Sequence, residues 1–318
     1  MHTVRDWIER HATERPDAPF LIAPESRRTL TFGELRTRVD EIGARLDSLQ
    51  ASPGGKVAFM LNNGLWTTLL FLGVMASRRV IVPLNAVAGL NQLEYVLDHS
   101  DSDVLFISPQ YREQLAAVLE RFPRPITVVE TTEDDGPASL TTEEPSGMVQ
   151  SLHSPQAADP ALLLYTSGTT GRPKGAVLSH RAVIAGGCNV VQGHGLTADD
   201  RALCVLPIYH INGAMVTLSA PLVSGGSVVM PHRFSAQRFW EWVADHRCSW
   251  SSVVPTIIKY LLDRAEDEPF TFGDDERLAQ FRFGRSASAA LPAVVLEQWE
   301  DTFHVPMIET LGLTETAG

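Results

Sequence analysis

Two hydrophobic patterns alternate along the chain, one with helical spacing and one made of short apolar runs. Between residues 31 and 49 the apolar residues recur every three or four positions, which predicts an amphipathic helix with a polar outer face. Thr31, with Glu34 three residues later, indicates a capping box at the start of this helix. Runs such as KVAFML (56–61) are almost wholly apolar. Strands that are apolar on both faces and alternate with helices predict a largely parallel sheet covered by helices.

The same two patterns predict the other elements. Apolar runs predict strands at 56–61, 79–85, 103–108, 126–129, 161–167, 201–207, 227–230, 250–255, 281–288 and 305–311. Helical spacing predicts helices at 31–49, 64–76 and 90–99, a helix through residue 120, helices from Ser179 and from Ile211, and helices at 235–246 and 291–302. The predicted fold class is therefore α/β, with two packed α/β subdomains.

A polar segment separates the two halves of this pattern. Residues 130–160 include EDDGPAS and TTEEPSG and contain no Lys or Arg. Their acidic residues lack the fixed spacing of a calcium-binding loop, so we expect a solvated loop or linker whose charge has no function. The predicted subdomains are residues 1–158, which end in this acidic loop, and residues 159–318.

Composition limits the partners that the chain can bind. The 318 residues are 44% hydrophobic, which is enough for a large core. The net charge of −12 argues against binding to nucleic acid or to an anionic membrane, because nothing offsets phosphate repulsion over a wide surface. Any phosphate must therefore be held by a local site.

Three features of the sequence predict a cytoplasmic protein. The charged N-terminus has no apolar core of a signal peptide. The apolar run at 64–76 is shorter than the roughly 20 residues that span a bilayer, which favours a buried helix. The cysteines Cys188, Cys204 and Cys248 form no CxxC pair, and this favours reduced thiols over disulfides or a zinc site.

The stretch YTSGTTGRPKG (165–175) carries the most specific chemistry. Only three of the 26 basic residues are lysines, so a lysine among glycines and hydroxyls is unexpected from composition. A loop around a polyphosphate needs close backbone approach, hydroxyl donors and a compact positive charge. The residues that supply them are Thr166, Ser167, Gly168, Thr169, Thr170, Gly171, Lys174 and Gly175. An apolar strand before the loop and a helix after it place it at the carboxyl end of a strand, where open α/β sheets bind ligands.

An ordinary turn and the P-loop of NTPases are the alternatives for this stretch. An ordinary turn seldom combines so many glycines and hydroxyls with a lysine. The P-loop spacing does not match, because Arg172 and Pro173 separate Gly171 from Lys174, and Gly175 replaces the hydroxyl residue that binds magnesium. The chain also lacks a G-x-S-x-G elbow, so hydrolysis through a covalent intermediate has no support.

The chain resembles the adenylate-forming enzymes, which include acyl-CoA synthetases, the adenylation domains of peptide synthetases and firefly luciferase. The resemblance is carried by LTFGEL (30–35), VPLN (82–85), YTSGTTGRPKGAVLSH (165–180), LPIYHINGA (206–214), VVPTII (253–258), GRSASAALP (284–292) and ETLGLTETAG (309–318). Such enzymes activate a carboxylic acid with ATP as an acyl-adenylate, release pyrophosphate, and in most cases pass the acyl group to a thiol. The resemblance implies the fold of their large N-terminal domain.

The resemblance also implies which residues contact the nucleotide. Thr314 corresponds to a threonine on the α-phosphate, and Glu315 to a glutamate that holds Mg²⁺. The adenine is expected beside Ser288, Ala289 and Ala290 and beside Thr310, Leu311 and Gly312. The family usually has an aromatic residue where this chain has Leu311, which can cover the base only by apolar contact.

His210, in LPIYHINGA, matches the family's histidine near the substrate carboxylate. The alternative is an ordinary core histidine, but the motif favours a role at the substrate as a gate or a hydrogen-bond donor. Relatives that activate amino acids have an aspartate near this place, and YHINGAMVTL contains none. The expected substrate is therefore a carboxylic acid without an α-amino group.

Members of this family continue beyond the segment ETLGLTET, through an aspartate that binds the ribose, a hinge and a small lid domain with a second lysine. The resemblance therefore covers an N-terminal portion, and the 318-residue chain alone is expected to bind ATP weakly and to form little thioester. The acyl acceptor is either coenzyme A or the phosphopantetheine of an acyl carrier protein. A non-catalytic nucleotide- or acyl-binding module of the same fold is the alternative function.

Overall fold

The computed structural model describes residues 2–137, 154–166, 172–267 and 275–317. The chain divides into two compact units. Unit 1 comprises Met1–Ala18 and Leu30–Ala185, and unit 2 comprises Pro19–Thr29 and Gly186–Gly318. The α/β fold class is confirmed, because each unit has its own sheet and its own hydrophobic core.

The described residues form thirteen strands and ten α-helices. The strands are β1 (Pro19–Ala23), β2 (Arg28–Thr31), β3 (Lys56–Met60), β4 (Val80–Pro83), β5 (Ser102–Ile107), β6 (Thr127–Glu130), β7 (Pro160–Thr166), β8 (Lys174–Ser179), β9 (Arg201–Leu203), β10 (Ser227–Val229), β11 (Trp250–Val253), β12 (Phe283–Ser286) and β13 (Met307–Glu309). The helices are α1 (Val4–Glu14), α2 (Phe32–Ser48), α3 (Leu65–Ala76), α4 (Leu90–His99), α5 (Arg112–Leu119), α6 (His180–His194), α7 (Ala220–Ser224), α8 (Phe239–Asp245), α9 (Pro255–Asp267) and α10 (Ala293–Phe303). A π-helical segment, Asn212–Ser219, precedes α7.

The sheet of unit 1 has six strands in the order β6-β5-β3-β4-β7-β8. The pairs from β6 to β7 are parallel, as the apolar runs predict, and β8 is antiparallel to β7. Buried residues of the central strands, such as Met60, Val82 and Leu105, form a core with apolar residues of α4 and α5. A parallel sheet of this kind needs helices over both faces, which explains the alternating pattern of the sequence.

Helix α2 begins as predicted, since the side chain of Thr31 accepts from the Glu34 backbone and the Glu34 carboxylate accepts from the Thr31 backbone. Helix α3 is buried along its whole length, as its apolar sequence predicts. Gly64 is the N-cap residue of α3, and it has no side chain that could cap the helix.

The acidic segment provides the missing cap of α3, and this corrects the prediction that its charge is solvated and without function. Asp134 is 7% exposed, and its Oδ1 accepts from the Leu65 backbone N–H at 2.8 Å. A carboxylate at a helix N-terminus satisfies an orphan donor and interacts favourably with the helix dipole. Within this segment, residues 138–153 lie outside the described residues.

The sheet of unit 2 has seven strands in the order β13-β12-β11-β9-β10-β1-β2. All pairs from β13 to β1 are parallel, so their carboxyl ends lie at one edge. Large apolar side chains, including Phe239, Trp299 and Phe303, form the core of this unit. The described helices include none with the length and hydropathy of a membrane span.

The division into units differs from the expected boundary between residues 158 and 159. Strand β7 pairs with β4, with Ile81 opposite Leu162, and this keeps residues 160–185 in unit 1. Strand β1 pairs with β10, with Leu21 opposite Val228, and this places a segment near the N-terminus in unit 2. Pairing between strands that are distant in sequence therefore decides the division.

Candidate functional site

The lysine-containing loop connects two antiparallel strands of unit 1. Thr166, the last residue of β7, lies opposite Lys174, the first residue of β8. Lys174 is exposed, and within the described part of the chain no carboxylate forms an ion pair with it. The predicted phosphate-binding residues Ser167, Gly168, Thr169, Thr170 and Gly171 lie outside the described residues.

A strand that was not predicted lies between this loop and the helix expected from Ser179. Residues 174–179 form β8 at the edge of the sheet, and α6 begins only at His180. The N-terminus of a helix therefore does not directly follow the loop, and a helix dipole is not part of the expected phosphate site.

A hydrogen bond holds the strand that leads into the loop. The hydroxyl of Tyr165 lies 2.8 Å from Nδ1 of His99 at the end of α4. Burial, and then the neighbouring Tyr95, raise the pKa of Tyr165 to about 12, so the hydroxyl keeps its proton at neutral pH. This contact positions β7 immediately before Thr166.

In unit 2, two predicted nucleotide-binding segments are joined at the carboxyl ends of β12 and β13. The Oε1 of Glu309 accepts from the Leu291 backbone N–H at 2.8 Å. Thr310 donates to the Ser286 carbonyl through its backbone N–H at 2.9 Å and through its hydroxyl at 3.2 Å. These bonds hold the turn 287–290 against the residues that follow β13.

Three exposed residues of this turn, Ser288, Ala289 and Ala290, correspond to the predicted adenine segment. Ser288 has φ of 75°, in the left-handed region that glycine adopts at lower cost. A backbone held in this conformation presents its polar groups in a fixed direction. The geometry suits a turn that lies along a flat ligand.

The segment after β13 is open to solvent. Leu311 is 93% exposed, and Thr310 and Gly312 beside it are partly exposed. Thr314 and Glu315 lie in the single helical turn Thr314–Thr316, where the Glu315 carboxylate is exposed. An apolar side chain this exposed gains free energy when a ligand covers it.

Glu315 fits the expected role of a magnesium ligand. Within residues 2–137, 154–166, 172–267 and 275–317, no group of three or more His, Cys, Asp and Glu side chains is arranged to hold a metal. Mg²⁺ bound together with a nucleotide does not need such a group, because it takes one or two carboxylates, the phosphates and water. A single exposed carboxylate is therefore compatible with it.

His210 precedes the π-helical segment and packs beside Tyr209, with 4.6 Å between ring centroids. Desolvation lowers the pKa of His210, so its imidazole is mostly neutral at pH 7. A neutral imidazole can donate one hydrogen bond to a carboxylate. Gly213, three residues later, allows the backbone of residues 206–207 to approach closely, because a Cβ there would clash with the Pro207 carbonyl oxygen.

A buried polar cluster lies on one face of the unit 2 sheet, and none of its members was among the residues predicted from the sequence. Arg285 donates through Nη1 to Ser252 Oγ at 3.1 Å and to Asn212 Oδ1 at 3.3 Å. Ser252 donates to Asn212 Oδ1 at 2.8 Å. The signal in the sequence is an arginine in the middle of the predicted strand FRFGRSAS, where a central strand seldom carries a charge.

The structure brings some of the predicted residues together within each unit. Thr166 and Lys174 are neighbours in unit 1. In unit 2, the turn 287–290 is hydrogen-bonded to Glu309 and Thr310, which adjoin Leu311 and lead to Glu315. A parallel sheet with a turn on its carboxyl edge is an arrangement that α/β proteins use for ligand binding.

The class of protein that this fold and these segments define agrees with the comparison to known families. The model of the family described as "AMP-binding enzyme" matches residues 8–318. The chain belongs to this family.

Curated relatives are named as CoA ligases. The sulfoacetate–CoA ligase of Cupriavidus necator is 42% identical over 317 residues, which are 99% of this chain and 60% of that protein. The oxalate–CoA ligase of Arabidopsis thaliana is 31% identical, over 98% of this chain and 61% of that protein. The chain therefore spans about 60% of the length of these relatives.

Solved structures show the same fold. The ATP-bound MatB of Rhodopseudomonas palustris has a TM-score of 0.84 and 26% identity, over 98% of this chain and 60% of that one. The inhibitor-bound N-terminal domain of FACL13 from Mycobacterium tuberculosis has a TM-score of 0.87 and 21% identity, over 100% of this chain and 77% of that one. The second likeness concerns the fold alone.

Proposed function

We propose that this chain is the ATP- and acid-binding part of an AMP-forming acid–CoA ligase. The observation that carries the proposal is the exposed Lys174, held opposite Thr166 at the base of the Gly- and Thr-rich loop, in a chain of the AMP-binding family. The names of its relatives favour coenzyme A as the acyl acceptor over a carrier protein.

The loop from Thr166 to Lys174 binds the phosphates of ATP in this proposal. Lys174 meets the outer phosphates as a compact charge, and Thr166 donates from its hydroxyl at the other end of the loop. The hydroxyls of Ser167, Thr169 and Thr170 and the backbone at Gly168 and Gly171 complete the loop. These contacts orient pyrophosphate, which is the leaving group of the first step.

Other predicted residues bind the adenylate part and the acid in this proposal. Ser288, Ala289 and Ala290 lie along the adenine, Thr310, Leu311 and Gly312 line the base, and Thr314 binds the α-phosphate. His210 donates a hydrogen bond to the reacting carboxylate. Mg²⁺ held by Glu315 supplies positive charge that reduces the repulsion between carboxylate and phosphate.

The reaction has two steps. A carboxylate oxygen of the acid attacks the α-phosphorus of ATP, and the bond from this phosphorus to the β-phosphate oxygen breaks, which releases pyrophosphate. The sulfur of CoA then attacks the acyl carbon of the mixed anhydride and loses its proton, and AMP leaves. The chain's own residues bind and orient the reactants in the first step.

We propose a short acid with a second anionic group as the substrate. The relatives named above act on sulfoacetate and oxalate, and further relatives, 30–32% identical, are named as malonate–CoA ligases. Each of these acids carries a sulfonate or a second carboxylate beside the reacting carboxylate. The absence of an aspartate in YHINGAMVTL agrees with an acid that has no α-amino group.

Exchange of labelled pyrophosphate into ATP, dependent on added acid, tests the first step directly. The assay uses the whole protein that its gene encodes, because the chain spans about 60% of its relatives. We expect Lys174→Ala to raise KM for ATP about 10- to 100-fold, since a charge-assisted hydrogen bond contributes about 1.5–3 kcal/mol.

Lys259→Ala is the matched control, because Lys259 is an exposed lysine that pairs with Asp263 on α9 at 2.8 Å. Its removal should leave KM for ATP unchanged. Tight ATP binding without exchange would favour the non-catalytic binding module instead. ATP hydrolysis that needs no acid would favour a different class of enzyme, and either result would contradict the proposal.

The exposure of Leu311 leads to a prediction about nucleotide affinity. An aromatic ring on a base contributes about 1–3 kcal/mol, so Leu311→Tyr should lower the Kd for AMP about 10-fold. Titration calorimetry with AMP measures this change. Leu313→Tyr places the same ring two residues further on, at a side chain that is 57% exposed, and should have no effect. Equal gains at both positions would place the base elsewhere.

A further inference from the structure

Arg285 is a buried cation whose hydrogen-bond partners in the described part of the chain are all neutral. Its side chain lies on β12 and is 5% exposed. It donates to Ser252 Oγ and Asn212 Oδ1, and no carboxylate in the described residues pairs with it. Burial lowers its pKa to about 10, so the guanidinium remains charged at neutral pH. A buried charge without a counter-charge destabilises a fold, unless an anion binds to it.

The atoms of this cluster that have no hydrogen-bond partner among the described residues are donors. Asn212 Oδ1 accepts from Ser252 and Arg285, which fixes the orientation of the amide. The buried atoms Asn212 Nδ2 and Arg285 Nε have no hydrogen-bond partner among the described residues. Donors on an amide and a guanidinium are complemented by the oxygens of a carboxylate or a sulfonate.

The position of the cluster connects it with the acid-binding segment. Ser252 and Arg285 are opposite residues of β11 and β12, so their side chains lie on the same face of the sheet. Asn212 opens the π-helical segment two residues after His210. His194 also faces this charge: burial, followed by the positive charges of Arg285 and Arg282, lowers the pKa of its imidazole. The known neighbours of the guanidinium are thus neutral or positive.

We infer that Arg285, with the amide of Asn212, binds the second anionic group of the substrate acid and selects acids that carry one. This inference rests on the proposed function. An acid without the second group would leave a buried guanidinium and a buried amide unpaired, and such sites reject the analogue that lacks the partner group. Arg285 on β12 therefore makes the site selective for acids with a second anionic group.

The test compares each acid that carries a second anionic group with an analogue of similar shape in which this second group is uncharged. This analogue, which keeps the reacting carboxylate, is called the neutral analogue. Sulfoacetate is paired with methylsulfonylacetate and malonate with acetoacetate, in the pyrophosphate exchange assay on the whole protein. The wild-type protein should prefer the acid with two anionic groups. Arg285→Met should lower kcat/KM for sulfoacetate and malonate about 100-fold while that for the neutral analogues changes little. Arg285→Lys, which keeps a charge, should recover part of the loss.

Arg282→Met is the matched control. Arg282 is an exposed arginine three residues earlier and pairs with Asp200 at 3.2 Å. Its replacement removes one charge from the same part of the chain and should leave the preference between the paired acids unchanged. If it altered this preference as strongly as Arg285→Met does, a general charge effect would replace the inference.

Three outcomes separate this inference from the proposed function. Equal losses for charged and neutral acids in Arg285→Met would overturn the inference and make Arg285 a structural residue. A wild-type preference for neutral acids would overturn it as well, while exchange with any acid would keep the proposed function. If no acid supports exchange, the Tm of the wild type and of Arg285→Met, measured with and without millimolar sulfoacetate, shows whether the anion site exists. A rise in wild type that is absent in Arg285→Met would support the anion site and reject the proposed function, whereas no rise would reject both.

Discussion

Gly213→Ala should lower the free energy of unfolding of the protein by about 3 kcal/mol, at the upper end of the usual cost of overpacking. A Cβ at this position would lie 2.4 Å from the carbonyl oxygen of Pro207 and 2.8 Å from that of Leu206. Backbone carbonyls cannot move away as the end of a flexible side chain can. The residues around His210 must therefore shift, and we expect a loss of acid-dependent exchange together with the loss of stability.

Urea denaturation followed by circular dichroism measures this effect. Gly193→Ala is the control, because a Cβ on Gly193 in α6 would meet no atom within 4 Å. Alanine has a higher helix propensity than glycine, so the control should gain about 0.5–1 kcal/mol. If Gly213→Ala were as stable as the wild type, the close approach of residues 206–207 to Gly213 would be contradicted.

The stability of unit 1 should fall as the pH drops from about 6.5 to about 4, because of His180. Burial lowers the pKa of this imidazole from 6.5 to about 4, against smaller opposing contributions from Asp159 and Asp6. Its Nδ1 accepts from the Val4 backbone N–H at 3.3 Å and must be unprotonated to do so. The unfolded chain takes up a proton near pH 6.5 and the folded chain only near pH 4. The unfolded state therefore gains about 3 kcal/mol over this range.

His180→Asn isolates this contribution, because an asparagine can accept from the Val4 N–H and does not titrate. Urea denaturation at a series of pH values should give a flatter dependence for the variant between pH 6.5 and 4. His194, His210 and His246 also have lowered pKa values, so the effect of His180 is read from the difference in slope between His180→Asn and the wild type. His2→Asn, which replaces an exposed histidine of unit 1, should keep the slope of the wild type. Equal slopes for His180→Asn and the wild type would contradict the assignment.

Elements that depend on nearby residues could be predicted from the sequence. Helix α2 was predicted because its apolar spacing and its Thr31–Glu34 cap act within a few residues. Helix α3 and the parallel strands of the unit 1 sheet were predicted because continuous apolar runs need burial on all sides. Helices α1 and α9 and the hairpin of β1 and β2 were not predicted. Helices α1 and α9 have amphipathic sequences, and α1 has a Thr3–Asp6 capping box, so local patterns could have predicted them. Strand β1 is different, because it obtains its partner β10 from more than 200 residues later.

The residues of the candidate site could be proposed from the sequence where they form local motifs, and were missed where they depend on distant partners. The composition of 166–174 and the resemblance carried by 284–292 and 309–318 led to its residues, because a phosphate loop needs particular residue types at particular places. Strand β8 was missed, since at the edge of the sheet most of its residues are exposed or half-buried and its second residue is a glycine, so it has no continuous apolar run. The cap by Asp134 was missed because its partner Leu65 lies 69 residues away.

The sequence by itself determined the α/β class, most helices and strands, and the chemistry of the loop around Lys174. Periodicity, capping and residue type act over one or two turns of chain, and these can be read without a structure. Only the tertiary structure decided which strands belong to which unit, which carboxylate caps α3, and that Arg285 is buried beside Asn212 and Ser252 with no counter-charge among the described residues. Burial and pairing depend on groups brought together from distant parts of the chain, and the free energy of a charge is set by those groups.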